Sequence, residues 1–109
     1  MIPRVFIPHI AMKENGNKLV PVFDFSQAQQ FGQITPVLDA DDNPMFISRL
    51  THKIKNVLEG FSAEDYLLCV GDPAVIALCS GLILRRQMAL KLLKWDRSMK
   101  TYIQVEVKI

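Results

Sequence analysis

Asp65-Tyr66-Leu67-Leu68-Cys69-Val70-Gly71-Asp72-Pro73, with the apolar run Ala74 to Leu84 behind it, reads as a short buried strand, a turn at one glycine and a helix start. Asp72 falls at the N-cap, where a carboxylate oxygen accepts from the first free helical N–H groups. Pro73 falls at the first helical position, where a missing N–H costs nothing. A strand–turn–helix joint that is apolar on both sides belongs to a layered α/β protein.

Working outward from this joint, Arg4 to Ile10 is rich in β-branched and aromatic residues and reads as a first strand, central over 4–8. Asn15-Gly16 is a turn signal and Leu19 to Phe23 resumes apolar character, so 10–22 forms either a β-hairpin or a strand with an exposed polar loop. The hairpin, as an extension of the first strand, is the preferred reading, because Pro8 and Pro21 argue against a long central strand in either segment. Asp24 or Ser26 caps a short helix over 26–31, closed by Gly32. Ile34 to Leu38 is a brief second strand, and Pro36 favours an edge position for it. Asn43 and Pro44 then open a helix in which Ile47, Leu50, Ile54, Val57, Leu58 and Phe61 share one face.

The third helix, over 73–86, is apolar nearly all round. Ala74, Ala77, Ser80 and Gly81 give it a small-residue face suited to close packing on strands. Leu90 to Trp95 and Lys100 to Ile109 are the last two strands, joined by Asp96-Arg97-Ser98-Met99. In the final one, Ile103, Val105, Val107 and Ile109 are expected inside, and Tyr102, Gln104, Glu106 and Lys108 in water. The order β-α-β-α-β-α-β-β predicts a single α/β domain over 1–109. It is a three-layer sandwich, Rossmann-like in layering, with a mostly parallel sheet and a C-terminal antiparallel β-hairpin.

At 109 residues the chain supports one hydrophobic core and not two. Met1-Ile2-Pro3-Arg4 lacks the basic and apolar regions of a signal peptide. Leu67 to Leu84 is about long enough to span a bilayer, but Asp72 and Pro73 interrupt it, so no membrane partner is expected. Cys69 and Cys79 lack metal-ligand spacing and read as small buried hydrophobes, which suggests a reducing compartment, the cytoplasm. Charge is uneven: residues 1–84 carry six basic and nine acidic side chains, residues 85–109 seven basic and two acidic. The basic candidates for an interaction surface are Arg85, Arg86, Lys94, Arg97 and Lys100. A simpler role for lysines near a sheet edge is to discourage edge-to-edge pairing.

In open α/β sheets, ligands bind beyond the C-terminal ends of the parallel strands. That rim is expected to carry His9, Asp24, Ser26, Gly71 and Asp72 as candidate ligand residues. Asp39, Asp41 and Asp42 read as a solvated turn at a helix start. At Gly71-Asp72-Pro73 a single glycine, a carboxylate and a proline stand where a nucleotide phosphate would need several glycines and free donors. No GxSxG elbow occurs, and no catalytic residue, metal site or cofactor is expected. Trp95, Arg97, Lys100 and Tyr102 mix aromatic and basic character, a composition that suits stacking on single strands, although a cross-strand aromatic pair explains Trp95 and Tyr102 more simply.

Asp24-Phe25-Ser26-x-Ala28-x-x-Phe31-Gly32, then Asp65-Tyr66-Leu67 to Gly71, then Leu92-Leu93-Lys94-Trp95, resembles a family of small, uncharacterised α/β proteins of tailed bacteriophages. The resemblance covers most of 4–107 and implies a viral protein expressed in a bacterial host cytoplasm, with no catalytic residues to carry over. The expected function is that of a non-enzymatic accessory protein binding a host or phage protein. The alternative is a small-ligand or nucleic-acid-binding module that uses the strand rim or the basic hairpin. A homodimer through the third helix or the last hairpin is expected, because that helix carries more apolar surface than one sheet contact covers and the half-buried last strand is a pairing edge despite its lysines. The joint itself is testable: Asp72→Ala should lower unfolding free energy in urea by about 1 kcal/mol.

Overall fold

A computed structural model describes residues 2–109. β1 (Arg4–His9) is buried through Val5, Phe6, Ile7 and Pro8 and lies inside the main sheet, between β4 (Gln33–Leu38) and β5 (Tyr66–Leu68). β6 (Ala89–Asp96) and β7 (Thr101–Lys108) complete the order β4-β1-β5-β6-β7. Every pairing is parallel except the last, β6 with β7, so the fold is mixed α/β with a mostly parallel sheet and a C-terminal antiparallel hairpin. β2 (Met12–Asn15) and β3 (Lys18–Pro21) form a separate two-stranded hairpin that extends β1, as the preferred reading of 10–22 expected. Its turn residues are Gly16 and Asn17, with Gly16 at φ 68, the first position of a hairpin turn that favours glycine.

α1 (Ile47–Leu58) and α2 (Pro73–Leu84) both cover one face of the sheet. Phe6, Leu38, Ile54, Leu58, Leu67, Val75, Cys79, Ile83 and Leu90 make the core there, and Phe61, just past α1, closes it. The other face is covered by a 3-10 helix (Ser26–Phe31), whose Ala28 meets Val5, Ile7, Leu68, Leu93 and Tyr102. The layers are therefore unequal, because the connection from β1 to β4 is taken up by the β2–β3 hairpin and the six-residue 3-10 helix and holds no full helix.

Asp72 caps α2 as expected, accepting from Ala74 N at 2.9 Å and Val75 N at 3.2 Å. The anticipated helix from Pro44 is split: Asn43 caps a 3-10 turn over Pro44–Phe46, and α1 begins at Ile47. Asp24 does not cap the 26–31 helix; its carboxylate accepts from Ser26 N at 2.9 Å, and Phe25 is the N-cap residue with no side-chain bond.

One expectation of side-chain facing is overturned, in α2, and a second, in β7, holds only for Gln104, Glu106 and Lys108, which are exposed, and in part for the half-buried Val105 and Val107. In α2, Ala74, Ala77 and Gly81 point outward, and the bulkier Val75, Cys79 and Ile83 meet the sheet. In β7, Tyr102 is buried while Ile103 is 38% and Ile109 71% exposed. Cross-strand partners share a face, so Trp95 and Leu93 of β6 draw Tyr102 toward the 3-10 helix side. The helix side ends at α2 and leaves Ile103 uncovered.

Close approach, not conformation, requires glycine at position 32: a Cβ there would stand 2.4 Å from Pro3 O. At Gly81, on the open side of α2, a Cβ would meet nothing within 4 Å. Gly32→Ala should therefore cost about 2 kcal/mol or more in urea unfolding, and Gly81→Ala should add about 0.5–1 kcal/mol. Equal effects at the two positions would contradict this packing.

Candidate functional site

The C-terminal ends of β1 and β5 are where the connections leave on opposite faces of the sheet, the usual place for a ligand crevice. Here backbone closes that point. Gly71, at φ 113, lies so near β1 that a Cβ on it would stand 3.2 Å from His9 O. The opening lies one strand further along, at the ends of β5 and β6, chiefly on the thinly covered face, with Lys94 at its rim from the helix side. It is a cleft of about 600 Å³ lined by Phe23, Asp24, Gln27, Cys69, Val70, Gly71, Lys94, Trp95, Arg97 and Tyr102.

Each wall has a local cause. β5 stops at Leu68, and Cys69 N still donates to Leu93 O at 2.9 Å, which holds Cys69, Val70 and Gly71 beside the end of β6. Trp95 and Tyr102 face each other across β6 and β7 with ring centroids 5.0 Å apart in an edge-on arrangement, the cross-strand pair expected of them. Tyr102 is buried beneath, while Trp95 keeps 44% of its surface exposed. Asp96 accepts from Ser98 N at 2.9 Å and Met99 N at 3.2 Å, which folds the β6–β7 turn and carries Arg97 to the cleft mouth. On the opposite wall the Asp24–Ser26 turn presents Phe23, 48% exposed.

The cleft thus pairs two aromatic surfaces with two cations and one carboxylate. Hydrogen bonds from the Ser26 backbone and hydroxyl hold the Asp24 carboxyl below the usual carboxylate range. Burial pushes the Tyr102 hydroxyl up, and the Asp24 charge adds to that shift. Burial also raises the Cys69 thiol, with Lys94 partly opposing, and Cys79 inside the core is pushed up to about 12. Neither thiol is therefore set up as a thiolate nucleophile.

Of the residues expected at the rim, Asp24 and Gly71 line the cleft. Ser26 lies in an adjoining hollow of about 670 Å³ that shares Phe23 and Asp24 with it. Asp72 is committed to its helix cap. His9 is outside the lining; its Nε2 is buried and has no hydrogen-bond partner. The five basic candidates do not form one surface. Lys94 and Arg97 flank the cleft, and Lys100 stands in the adjacent turn at φ 52. Arg85 and Arg86 follow the C-terminus of α2, at the other end of the sheet, beside a depression of about 310 Å³ shared with Lys55 and Glu59. Arg86 is a structural group, donating Nη1 to Leu58 O at 2.7 Å and Nη2 to Glu59 O at 3.0 Å at the end of α1.

Phe23 and Gln27 are cleft residues that the sequence did not point out. The one available signal was an aromatic residue directly before an Asp-x-Ser turn in a solvated segment. Among the described residues no group of three or more His, Cys, Asp or Glu side chains is placed to hold a metal ion. No helix there is long and apolar enough to cross a membrane.

Trp95 is the chain's one tryptophan and so reports on the cleft. Ionised Tyr102 would quench it by energy transfer at the observed ring distance. Its fluorescence should therefore fall with a midpoint above the ordinary tyrosine value of 10.0. Removing the neighbouring charge in Asp24→Asn should move that midpoint down, read while circular dichroism still shows the folded chain. An unmoved midpoint would show that Asp24 and Tyr102 do not share this cleft.

Comparison with known protein families matches residues 3–109 to the family described as Phage Pam3 gp32-like protein. No curated protein and no solved structure matches the chain. With a match over nearly its whole length, the chain belongs to the Phage Pam3 gp32-like protein family.

Proposed function

We propose that this phage protein is a non-enzymatic accessory factor that binds a phage or host protein in the host cytoplasm, and that the aromatic–cationic cleft receives a segment of that partner. The observation that carries the reading is the exposure of Phe23 and Trp95 on facing walls of one cleft, with Lys94 and Arg97 beside them. Aromatic and arginine side chains around a concave site are the groups that dominate protein–protein binding energy. Two cations against one carboxylate favour a segment that carries acidic residues beside an apolar or aromatic anchor.

Single-stranded nucleic acid is the second reading. It is favoured by one observation: the strand rim and the basic hairpin, separate in sequence, meet in this cleft. Stacking on Trp95 and Phe23 with phosphates at Lys94 and Arg97 would use the same groups.

Affinity purification of the tagged protein from phage-infected cells, followed by titration of each purified candidate while Trp95 fluorescence is read, distinguishes the two. A protein partner should lose about 30-fold in affinity with Phe23→Ala or Arg97→Glu, both at exposed positions where folding is spared. Tight retention of single-stranded DNA or RNA that falls steeply with salt, with a flatter slope when Lys94 and Arg97 are neutralised, would replace the protein-partner reading by the second.

A further inference from the structure

The two edges of the main sheet are not alike. β4 bears Pro36 in its middle, where a missing N–H and a bulky ring block further pairing. β7 runs eight residues without proline and carries charge only at Glu106 and Lys108. On the helix side its row of Ile103, Val105 and Val107 continues to Ile109; Val105 and Val107 are half-buried and Ile103 and Ile109 are exposed, so the row is only partly covered.

The hydrogen bonding of β7 fixes what it offers a neighbour. Ile109 N donates to Met88 O at 3.0 Å, one step beyond the Ala89–Lys108 pair. Bonded and unbonded pairs alternate in an antiparallel ladder. Val107, Val105 and Ile103 therefore bond back to β6, and the N–H and C=O groups of Tyr102, Gln104, Glu106 and Lys108 point to the open side.

From this pattern we infer that a second copy of the chain pairs antiparallel along β7, about a two-fold axis at Val105, to make one continuous sheet. An isologous pair must set outward-pointing residues opposite outward-pointing residues, and charge and length of overlap then choose among the registers. An axis at Val107 sets Glu106 opposite Lys108 but overlaps only 106–108 of the strand. An axis at Gln104 places Lys108 opposite the second copy's Lys100. An axis at Glu106 places that carboxylate opposite itself. An axis at Ile103 runs the C-terminal half of the strand past the Arg97–Lys100 turn. An axis at Val105 sets Gln104 opposite Glu106 and Tyr102 opposite Lys108, and it pairs no like charges. On the helix side the same axis brings Val105 against its copy and Ile103 against Val107, so each partly covered row packs beside the other.

Light scattering across a concentration range should give twice the 12.4 kDa chain mass at high concentration. Gln104→Pro removes an outward N–H that β6 does not use, so it should return the mass to 12.4 kDa with the circular dichroism unchanged. In a Cys69→Ala background, Val105→Cys should form an inter-chain disulfide on mild oxidation, because an unbonded pair at the axis has the required spacing. Gln104→Cys should not. A constant monomer mass, a dimer that survives Gln104→Pro, or cross-linking at 104 instead of 105 would each overturn the proposal. The disulfide comparison decides the matter even if the proline variant fails to fold.

Discussion

The buried carboxylate of Asp65 is the constraint that aligns the centre of this sheet. It is 3% exposed, and it accepts from Arg4 N and Ser62 N, each at 2.8 Å, and from Ser62 Oγ at 3.1 Å, with the Arg4 guanidinium at 3.5 Å. A charge withdrawn from water is tolerated only when its lone pairs are filled, and here the donors come from the start of β1 and from the turn that feeds β5. The carboxylate thus ties the two central strands at one end. Val5 pairs with Tyr66 and Phe6 with Leu67 in the resulting register, which brings Gly71 against His9 at the other end. With the point between β1 and β5 sealed, the cleft is displaced toward β6.

Unequal coverage of the two faces accounts for most of the remaining surface. Two α-helices shield the side of Phe6, Leu67 and Leu90, whereas a six-residue 3-10 helix shields the side of Val5, Leu68 and Leu93. The short element reaches as far as Tyr102 but leaves Trp95 half open. A cleft lined by aromatic side chains is what a sheet face presents when its cover is too short to cross it. On the opposite face the same limit applies to α2, which leaves Ile103 exposed and Val105 and Val107 only half-buried.

Local chemistry made much of the fold legible in the sequence. Asp72 and Pro73 marked the start of α2, Asn43 and Pro44 the turn before α1, and Pro36 an edge strand, because capping and a missing N–H act within a few residues. Facing was less legible where both alternatives looked apolar. The alternation in β7 separates two sets of residues but does not say which set meets a core, and Leu93 and Trp95 on the neighbouring strand decided for Tyr102. In α2 the small residues offered close packing, yet Val75, Cys79 and Ile83 bury more apolar area and took the sheet. The candidate site was half legible. Gly71 and Asp24 follow from the rim rule and Lys94 and Arg97 from charge, but their meeting depends on strand order, and Arg86 was assigned to the surface because its carbonyl partners lie on another helix.

Pro36 has a consequence that reaches past the single chain. A sheet with two open edges can add neighbours at both and grow without limit into fibres, as edge-exposed proteins do when they aggregate. With β4 stopped by its proline, only β7 can accept a strand, so the valence of this sheet is one. A second copy that adds there brings its own proline-blocked β4 as the far edge, so the pair is closed as soon as it forms.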